Sequence, residues 1–159
     1  MKNKAYNLSR YIFSASEKIL LDANIWLYLF PPPGNPKRTI AAIYSTHFAR
    51  MIGNGVQPVL DPLILSEYLN RYCRIEWEGR YKTIHSKYKS FRNSSDFKSV
   101  GRSAASFARK ISSLCARHST SSDKLDIENG KAEKGTDLLF ILSNGYGCVK
   151  GCACQEQHE

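Results

Sequence analysis

The fold is decided by the stretch Glu17-Lys18-Ile19-Leu20-Leu21-Asp22-Ala23-Asn24-Ile25-Trp26-Leu27-Tyr28-Leu29-Phe30. After Lys18 this apolar run contains a single charge, the carboxylate of Asp22. Burying an ionised carboxylate without a partner costs several kcal/mol, so an acid in such a run usually ends a strand, caps a helix or holds a cation. Asp22 is therefore either a strand end that caps the next helix or a metal ligand.

The residues before Asp22 predict a short buried strand. Ile19, Leu20 and Leu21 form a continuous apolar run, which is typical of a parallel strand covered on both faces. Asp22 and Asn24 would then lie at the carboxyl end of this strand. Ligands of open α/β sheets bind at that edge, so the position of the acid favours a binding role.

The next part of the chain predicts further short strand and helix units. An apolar stripe at helical spacing ends at Gly53, and residues 57–60 form a second short apolar run. Asp61 and Pro62 supply a helix cap and a first-turn proline for a helix that continues to about Trp77. The pattern as a whole predicts a small α/β layer fold in one domain.

Two more isolated acids stand at helix positions. Glu67 lies on the helix after the second strand, and Arg71 follows it by four residues, so a surface ion pair is the alternative to a site role. Asp137 follows the good helix cap Thr136, and its alternative role is to complement the helix dipole. This last helix is predicted to contain Leu138, Leu139, Ile141 and Leu142.

The positive charge is concentrated in one segment. Lys and Arg number 23 against 14 acids, and residues 71–117 hold 12 basic and 3 acidic residues, which leaves 11 of each elsewhere. Such a segment predicts a polyanionic partner such as nucleic acid. The alternative is a solvated basic helix surface without a partner.

Within this segment, residues 80–93 interleave basic and aromatic side chains. This pattern suits phosphate contacts combined with stacking on unpaired bases, although aromatic rings beside lysine stems also pack helices onto a core. The predicted nucleic-acid contacts are Arg71, Arg74, Lys82, Lys87, Lys89 and Arg92.

The cysteines do not form a disulfide framework. There are five, an odd number, and the polar start of the chain has no signal-peptide pattern. We therefore expect a reducing cytoplasm, and no stretch is apolar enough for a membrane span. A zinc site is the alternative use of the last cysteines and a nearby histidine, in the unusual spacing C-x3-C-x-C-x3-H: Cys148, Cys152, Cys154 and His158.

At these acids the chain resembles the PIN-domain family, which includes the VapC-type toxins of bacterial toxin–antitoxin pairs. Three motifs carry the resemblance: Leu20-Leu21-Asp22-Ala23-Asn24-Ile25-Trp26, then Leu63-Ile64-Leu65-Ser66-Glu67-Tyr68, and finally Thr136-Asp137-Leu138-Leu139. The first motif is the most specific, and the other two gain weight from their order and context.

The resemblance implies a three-layer α/β/α PIN-like fold with a short parallel sheet. It implies that Asp22, Glu67 and Asp137 bind Mg²⁺ or Mn²⁺ for the hydrolysis of RNA, with Asn24 as a further catalytic residue that orients a water or an Asp22 oxygen. Hard cations of this kind take oxygen ligands. The resemblance also implies a small antitoxin partner and a homodimer.

The chain departs from the family pattern near its end. The family continues through a strand with a Thr-x-Asp-like acidic motif, and no such motif follows residue 147 here. We therefore expect a truncated PIN-like domain at 17–147 with its last strand or strands missing, an N-terminal arm at 1–16 and a cysteine-rich tail at 148–159. The alternative function is a catalytically degenerate PIN-like protein that binds nucleic acid or a protein partner.

Overall fold

The computed structural model describes residues 4–15, 17–34, 38–115, 138–141 and 147–151, which form a mixed α/β structure. The strands are β1 (Lys4–Asn7), β2 (Lys18–Leu21), β3 (Pro58–Val59), β4 (Leu138–Ile141) and β5 (Gly147–Gly151). The helices are α1 (Ala23–Leu29), α2 (Arg38–Gly53), α3 (Pro62–Glu76), α4 (Tyr88–Arg92) and α5 (Asp96–Leu114). A π-helical turn (Trp77–Tyr81) directly continues α3.

The described strands form one sheet in the order β1-β5-β4-β2-β3. Strand β2 pairs in parallel with β3 on one side and with β4 on the other. This arrangement confirms the short parallel strand predicted from Ile19 to Leu21. Strand β5 pairs antiparallel with both β4 and β1, so the sheet is mixed.

The segments predicted as an arm and a tail each contribute to this sheet. Strand β1 comes from residues 1–16, and its Ala5 pairs with Val149 of β5. Strand β5 crosses the predicted boundary between 147 and 148. The sheet therefore joins two segments that the sequence pattern placed outside the central domain.

The last predicted helix is wrong, because Leu138–Ile141 is strand β4. A run of four apolar residues fits a strand in the middle of a sheet as well as it fits a helix turn, and periodicity cannot separate the two. Here the run lies between β2 and β5 and pairs with both. Pairing with distant strands has therefore decided its conformation.

The local signals around α2 and α3 are confirmed. Helix α2 ends at Gly53. Helix α3 begins at Pro62, and the Asp61 side chain accepts a hydrogen bond of 2.7 Å from the Leu63 backbone nitrogen. An N-cap of this kind satisfies a backbone donor that the helix itself leaves unpaired.

The core lies where α1 meets β2 and the longer helices. Ile19 and Leu21 of β2 are buried, as is Trp26 of α1. Helix α1 packs against α2 and α3, and α3 packs against α5. Helix α1 is thus held on several sides, which fixes the position of the residues at its start.

Arg50 of α2 holds the connection between β1 and β2. Its guanidinium donates to the backbone oxygens of Leu8, Ser9 and Tyr11 and lies over the ring of Phe13. Several carbonyls bonded by one charged side chain restrain this connection against α2.

Candidate active site and basic surface

Asp22 lies where β2 ends and α1 begins. Its backbone carbonyl accepts hydrogen bonds from the nitrogens of Ile25, at 2.9 Å, and Trp26, at 3.3 Å, so Asp22 occupies the N-cap position of α1. Its side chain makes no capping hydrogen bond. The half-buried carboxylate is therefore not used as the cap that one interpretation of the sequence predicted.

Asn24 contacts this carboxylate directly. Its amide nitrogen Nδ2 donates a hydrogen bond of 2.9 Å to Oδ2 of Asp22. A neutral donor of this kind orients the carboxylate without cancelling its charge. The structure thus brings together two of the four predicted catalytic residues.

Glu67 forms the ion pair that the sequence offered as its alternative role. Its Oε1 lies 3.1 Å from Nη1 of Arg71, with 49% of the Glu67 side chain exposed. An exposed pair at this spacing contributes only a few tenths of a kcal/mol, so a stronger ligand could displace it. A role as a metal ligand for Glu67 stays a prediction.

Asp137, the third predicted ligand, lies outside the described residues. Its neighbour Leu138 pairs with Lys18 at the start of β2, whereas Asp22 follows Leu21 at the other end. Three strand steps of about 3.3 Å separate these two ends of β2. The position of Leu138 gives no support to a shared site for Asp137 and Asp22, and that assignment stays a prediction.

The predicted nucleic-acid contacts all lie in the described part of the chain and are exposed: Arg71, Arg74, Lys82, Lys87, Lys89 and Arg92. Three of them lie on or beside α3 and the π-helical turn, and three lie on or beside α4. Two of them lie over aromatic rings. The Arg74 guanidinium is 5.1 Å from the ring centre of Tyr88, and Lys82 Nζ is 5.8 Å from the ring centre of Trp77.

The aromatic residues of this segment mostly pack the helices together. Phe91 is buried and stacks on Tyr81 with the ring centres 4.9 Å apart. Trp77 contacts Tyr88, and its indole nitrogen donates to the His85 carbonyl oxygen at 2.8 Å. The alternative in which these rings join the helices to the core therefore describes most of them.

Tyr88 packs against Trp77 and Phe91, and its half-buried ring also lines an open groove. Burial raises the pKa of its hydroxyl, although Arg92 and Arg74 nearby oppose the shift. The hydroxyl therefore stays protonated at neutral pH and can donate a hydrogen bond.

Glu76 is a buried acid that the sequence pattern did not single out. Its side chain is 2% exposed, and it accepts from the Gly34 nitrogen at 2.6 Å and from Arg80 at 3.1 Å. The signal that could have found it is its spacing, because it follows the buried Tyr68 and Tyr72 at steps of four on α3. These contacts fasten the proline-rich loop after α1 and give Glu76 a structural role.

Cys73 and Cys115 are free and buried. Burial raises the pKa of the Cys115 thiol to about 12, and it raises the pKa of Cys73 as well. Cys152, Cys154 and His158 of the alternative zinc site lie outside the described residues, as does the side chain of Cys148.

Within the described ranges, no group of three or more His, Cys, Asp and Glu side chains lies close enough together to hold a metal ion. The contact that the structure shows within the candidate site is the hydrogen bond from Asn24 to Asp22. One carboxylate is compatible with Mg²⁺, which protein sites often hold through one or two carboxylates, water and substrate phosphate.

The described residues thus define a mixed α/β protein with an acid at the carboxyl end of a parallel strand and a basic surface on its helices. The chain matches no family model, and comparisons with curated proteins and with solved structures gave no match. No helix in the described part of the chain is long and apolar enough to cross a membrane.

Proposed function

We propose that this protein is a divalent-metal-dependent endoribonuclease with a three-layer PIN-like fold, similar to the VapC-type toxins. The observation that carries the proposal is the position of Asp22 beside Asn24, at the carboxyl end of β2. β2 pairs in parallel with β3 and β4, and the carboxyl end of such strands is where α/β folds bind ligands. The side chain of Asp22 is not used for helix capping, so it is available for chemistry.

Asp22, Glu67 and Asp137 would hold Mg²⁺ or Mn²⁺, which supplies charge neutralisation at the phosphate and an activated water. Asn24 keeps Oδ2 of Asp22 oriented through its hydrogen bond. The basic side chains on α3 and α4 would hold the RNA backbone, since Arg and Lys are the usual phosphate contacts. No covalent nucleophile from the protein is needed in this reaction.

The second candidate is a catalytically degenerate PIN-like protein that binds nucleic acid or a protein partner. The observations that favour it are the ion pair of Glu67 with Arg71 and the pairing of Leu138 with Lys18, at the end of β2 away from Asp22. In this case the basic surface binds RNA while the acids hold no productive metal.

The test compares two acids that follow strands and precede helices. Asp22→Asn removes the charge at the candidate site, whereas Asp61→Asn keeps a capping side chain at α3, because Asn caps as well as Asp. Both variants and the wild type are purified identically and assayed on labelled single-stranded RNAs with Mg²⁺, with Mn²⁺ and with EDTA. Identical purification controls for contaminating nuclease.

We expect Asp22→Asn to lower metal-dependent cleavage at least about 100-fold and Asp61→Asn to keep it. Mn²⁺ should also raise the thermal unfolding temperature of the wild type and of Asp61→Asn, but not that of Asp22→Asn. Equal cleavage by all three proteins would overturn the proposal. Binding of RNA without turnover in either metal would favour the degenerate protein.

The resemblance also motivates a proposal about partners and location. We propose that the protein works in the cytoplasm as a homodimer inhibited by a small antitoxin protein. Light scattering of the purified chain tests the dimer, since a mass of 18.0 kDa at all concentrations would exclude it.

A further inference from the structure

One groove combines basic and aromatic side chains. It is open to solvent, has a volume of about 480 Å³ and lies between α4 and the start of α5. Its lining residues are Tyr88, Lys89, Arg92, Asn93 and Phe97. Pockets for small organic groups are commonly of 300–1,000 Å³, so about one nucleotide fits.

The charge of the groove favours an anion. Lys89 and Arg92 are exposed, and no acid is among the lining residues. The nearest acid along the chain, Asp96, is bonded through Oδ2 to Nε2 of His85 at 2.8 Å. Arg74 adds a third positive charge through its position over the ring of Tyr88.

The rings favour a ligand that offers a flat apolar group beside its charge. Tyr88 and Phe97 are half-buried, so each contributes part of its surface to the groove. Phe97 is held edge-on against the buried Phe91, with ring centres 5.6 Å apart, which fixes its orientation. Asn93 supplies an amide that can donate to and accept from a base edge.

We propose that this groove binds single-stranded nucleic acid, with a phosphate between Lys89 and Arg92 and an unpaired base against Tyr88 and Phe97. A guanidinium binds phosphate through two parallel hydrogen bonds, and bases stack on aromatic side chains without strong sequence preference. A duplex offers the phosphates but keeps its bases stacked inside. The identification of the strand as RNA rests on the proposed function, whereas the groove itself does not depend on catalysis.

The experiment measures binding by fluorescence anisotropy in EDTA, so that cleavage cannot occur. The probes are a labelled 12-nucleotide single-stranded RNA, the same sequence as DNA, and the RNA duplex. Lys89→Gln/Arg92→Gln removes two charges from the groove. Arg102→Gln/Arg109→Gln removes two exposed charges from α5, outside the lining of the groove, and serves as the matched control.

We expect the groove variant to bind single-stranded RNA about tenfold or more weakly than the control variant. For this variant the slope of log K for binding against the log of the salt concentration should be shallower by about 1.4. This change corresponds to two lost phosphate contacts on a single strand. Tyr88→Leu should weaken single-strand binding more than duplex binding. Lys89→Glu alone should give the same direction of change, and circular dichroism checks that each variant is folded.

Equal losses in the groove and control variants would overturn the proposal, because they would indicate a diffuse positive field. Duplex binding as tight as single-strand binding would also overturn it. Equal single-strand binding by the groove and control variants, together with metal-dependent RNA cleavage that Asp22→Asn abolishes, would reject the groove and leave the proposed nuclease unaffected.

Discussion

Two Glu–Arg pairs on α3 and its continuation are chemically alike but differ in burial. Glu67–Arg71 and Glu76–Arg80 are both four residues apart with N–O distances of 3.1 Å. Glu67 is 49% exposed, whereas Glu76 is 2% exposed and also accepts from the Gly34 nitrogen. Burial, and not the pair itself, therefore decides how much each acid stabilises the fold.

We predict that Glu76→Ala lowers the free energy of unfolding by about 2–3 kcal/mol, because it leaves the Gly34 nitrogen unpaired and opens a cavity. Glu67→Ala, the matched control, should change it by less than about 0.5 kcal/mol. Urea denaturation followed by circular dichroism measures both values. A loss of equal size at the two positions would contradict this account.

A second prediction at the residue scale concerns His47 of α2. Burial, together with the charge of Arg50, lowers the pKa of His47 from its usual value of 6.5. As the pH falls below about 6.5, the unfolded chain binds the proton before the native protein does. The contribution of His47 to the free energy of unfolding is therefore fully present above pH 6.5, and it is lost as the pH falls through the lowered pKa of the native protein.

We expect the free energy of unfolding of the wild type to fall more steeply between pH 7.5 and pH 5.5 than that of His47→Gln. Urea denaturation at intervals across this range gives the two slopes. Parallel curves would show that His47 titrates alike in the folded and unfolded chains.

Among the elements, the end of α2 shows how two nearby glycines differ. Gly53 is the last helical residue, and a Cβ there would meet no atom within 4 Å. Gly55 has φ of +76°, a left-handed conformation that costs a residue with a side chain roughly 1–2 kcal/mol. The turn into β3 therefore needs glycine at 55 but not at 53.

We predict that Gly55→Ala destabilises the protein by about 1–2 kcal/mol, whereas Gly53→Ala is neutral or stabilises by up to about 1 kcal/mol. Thermal denaturation of the two variants side by side measures the difference in their stability. Equal stability of both variants would show that the turn can change its backbone conformation at little cost.

Elements set by neighbours in the sequence could be predicted, and those set by distant neighbours could not. The start of α3 follows from Asp61 and Pro62, because a cap and a first-turn proline act within one turn. Strand β4 did not follow from its sequence, since Leu138–Ile141 becomes a strand by pairing with β2 and β5.

The candidate site divides in the same way. Asp22 and Asn24 are two residues apart, so their contact at the strand end was accessible from the sequence. The burial of Glu76 depends on a loop 42 positions earlier, and the groove depends on how α4 meets α5. Such contacts are set by tertiary packing, which short-range patterns do not report.

At the scale of the whole molecule, the buried thiols report global unfolding. Cys115 closes the end of α5 in the core, and burial raises its pKa to about 12, so very little thiolate forms in the native state. We predict that iodoacetamide at pH 8 modifies Cys115 only through the unfolded state, at a rate set by the unfolded fraction.

Mass spectrometry of proteolytic peptides measures this rate, and urea below the midpoint should accelerate it in proportion to the unfolded fraction. Rapid labelling of Cys115 without urea would show that the end of α5 opens locally. Cys73 of α3 provides an internal comparison, since it is also buried with a raised pKa.

The pairing of β2 with β4 also determines when the sheet can form during synthesis of the chain. Lys18 pairs with Leu138, which the ribosome adds 120 residues later. At about 5–20 residues per second, β2 therefore waits roughly 6–24 s for this neighbour after its own synthesis. Asp22 follows directly on β2, so the sheet beside the candidate site is completed only after β4 has been made. If the protein cleaves RNA, the nascent chain is harmless to the messenger that encodes it until β4 has joined β2.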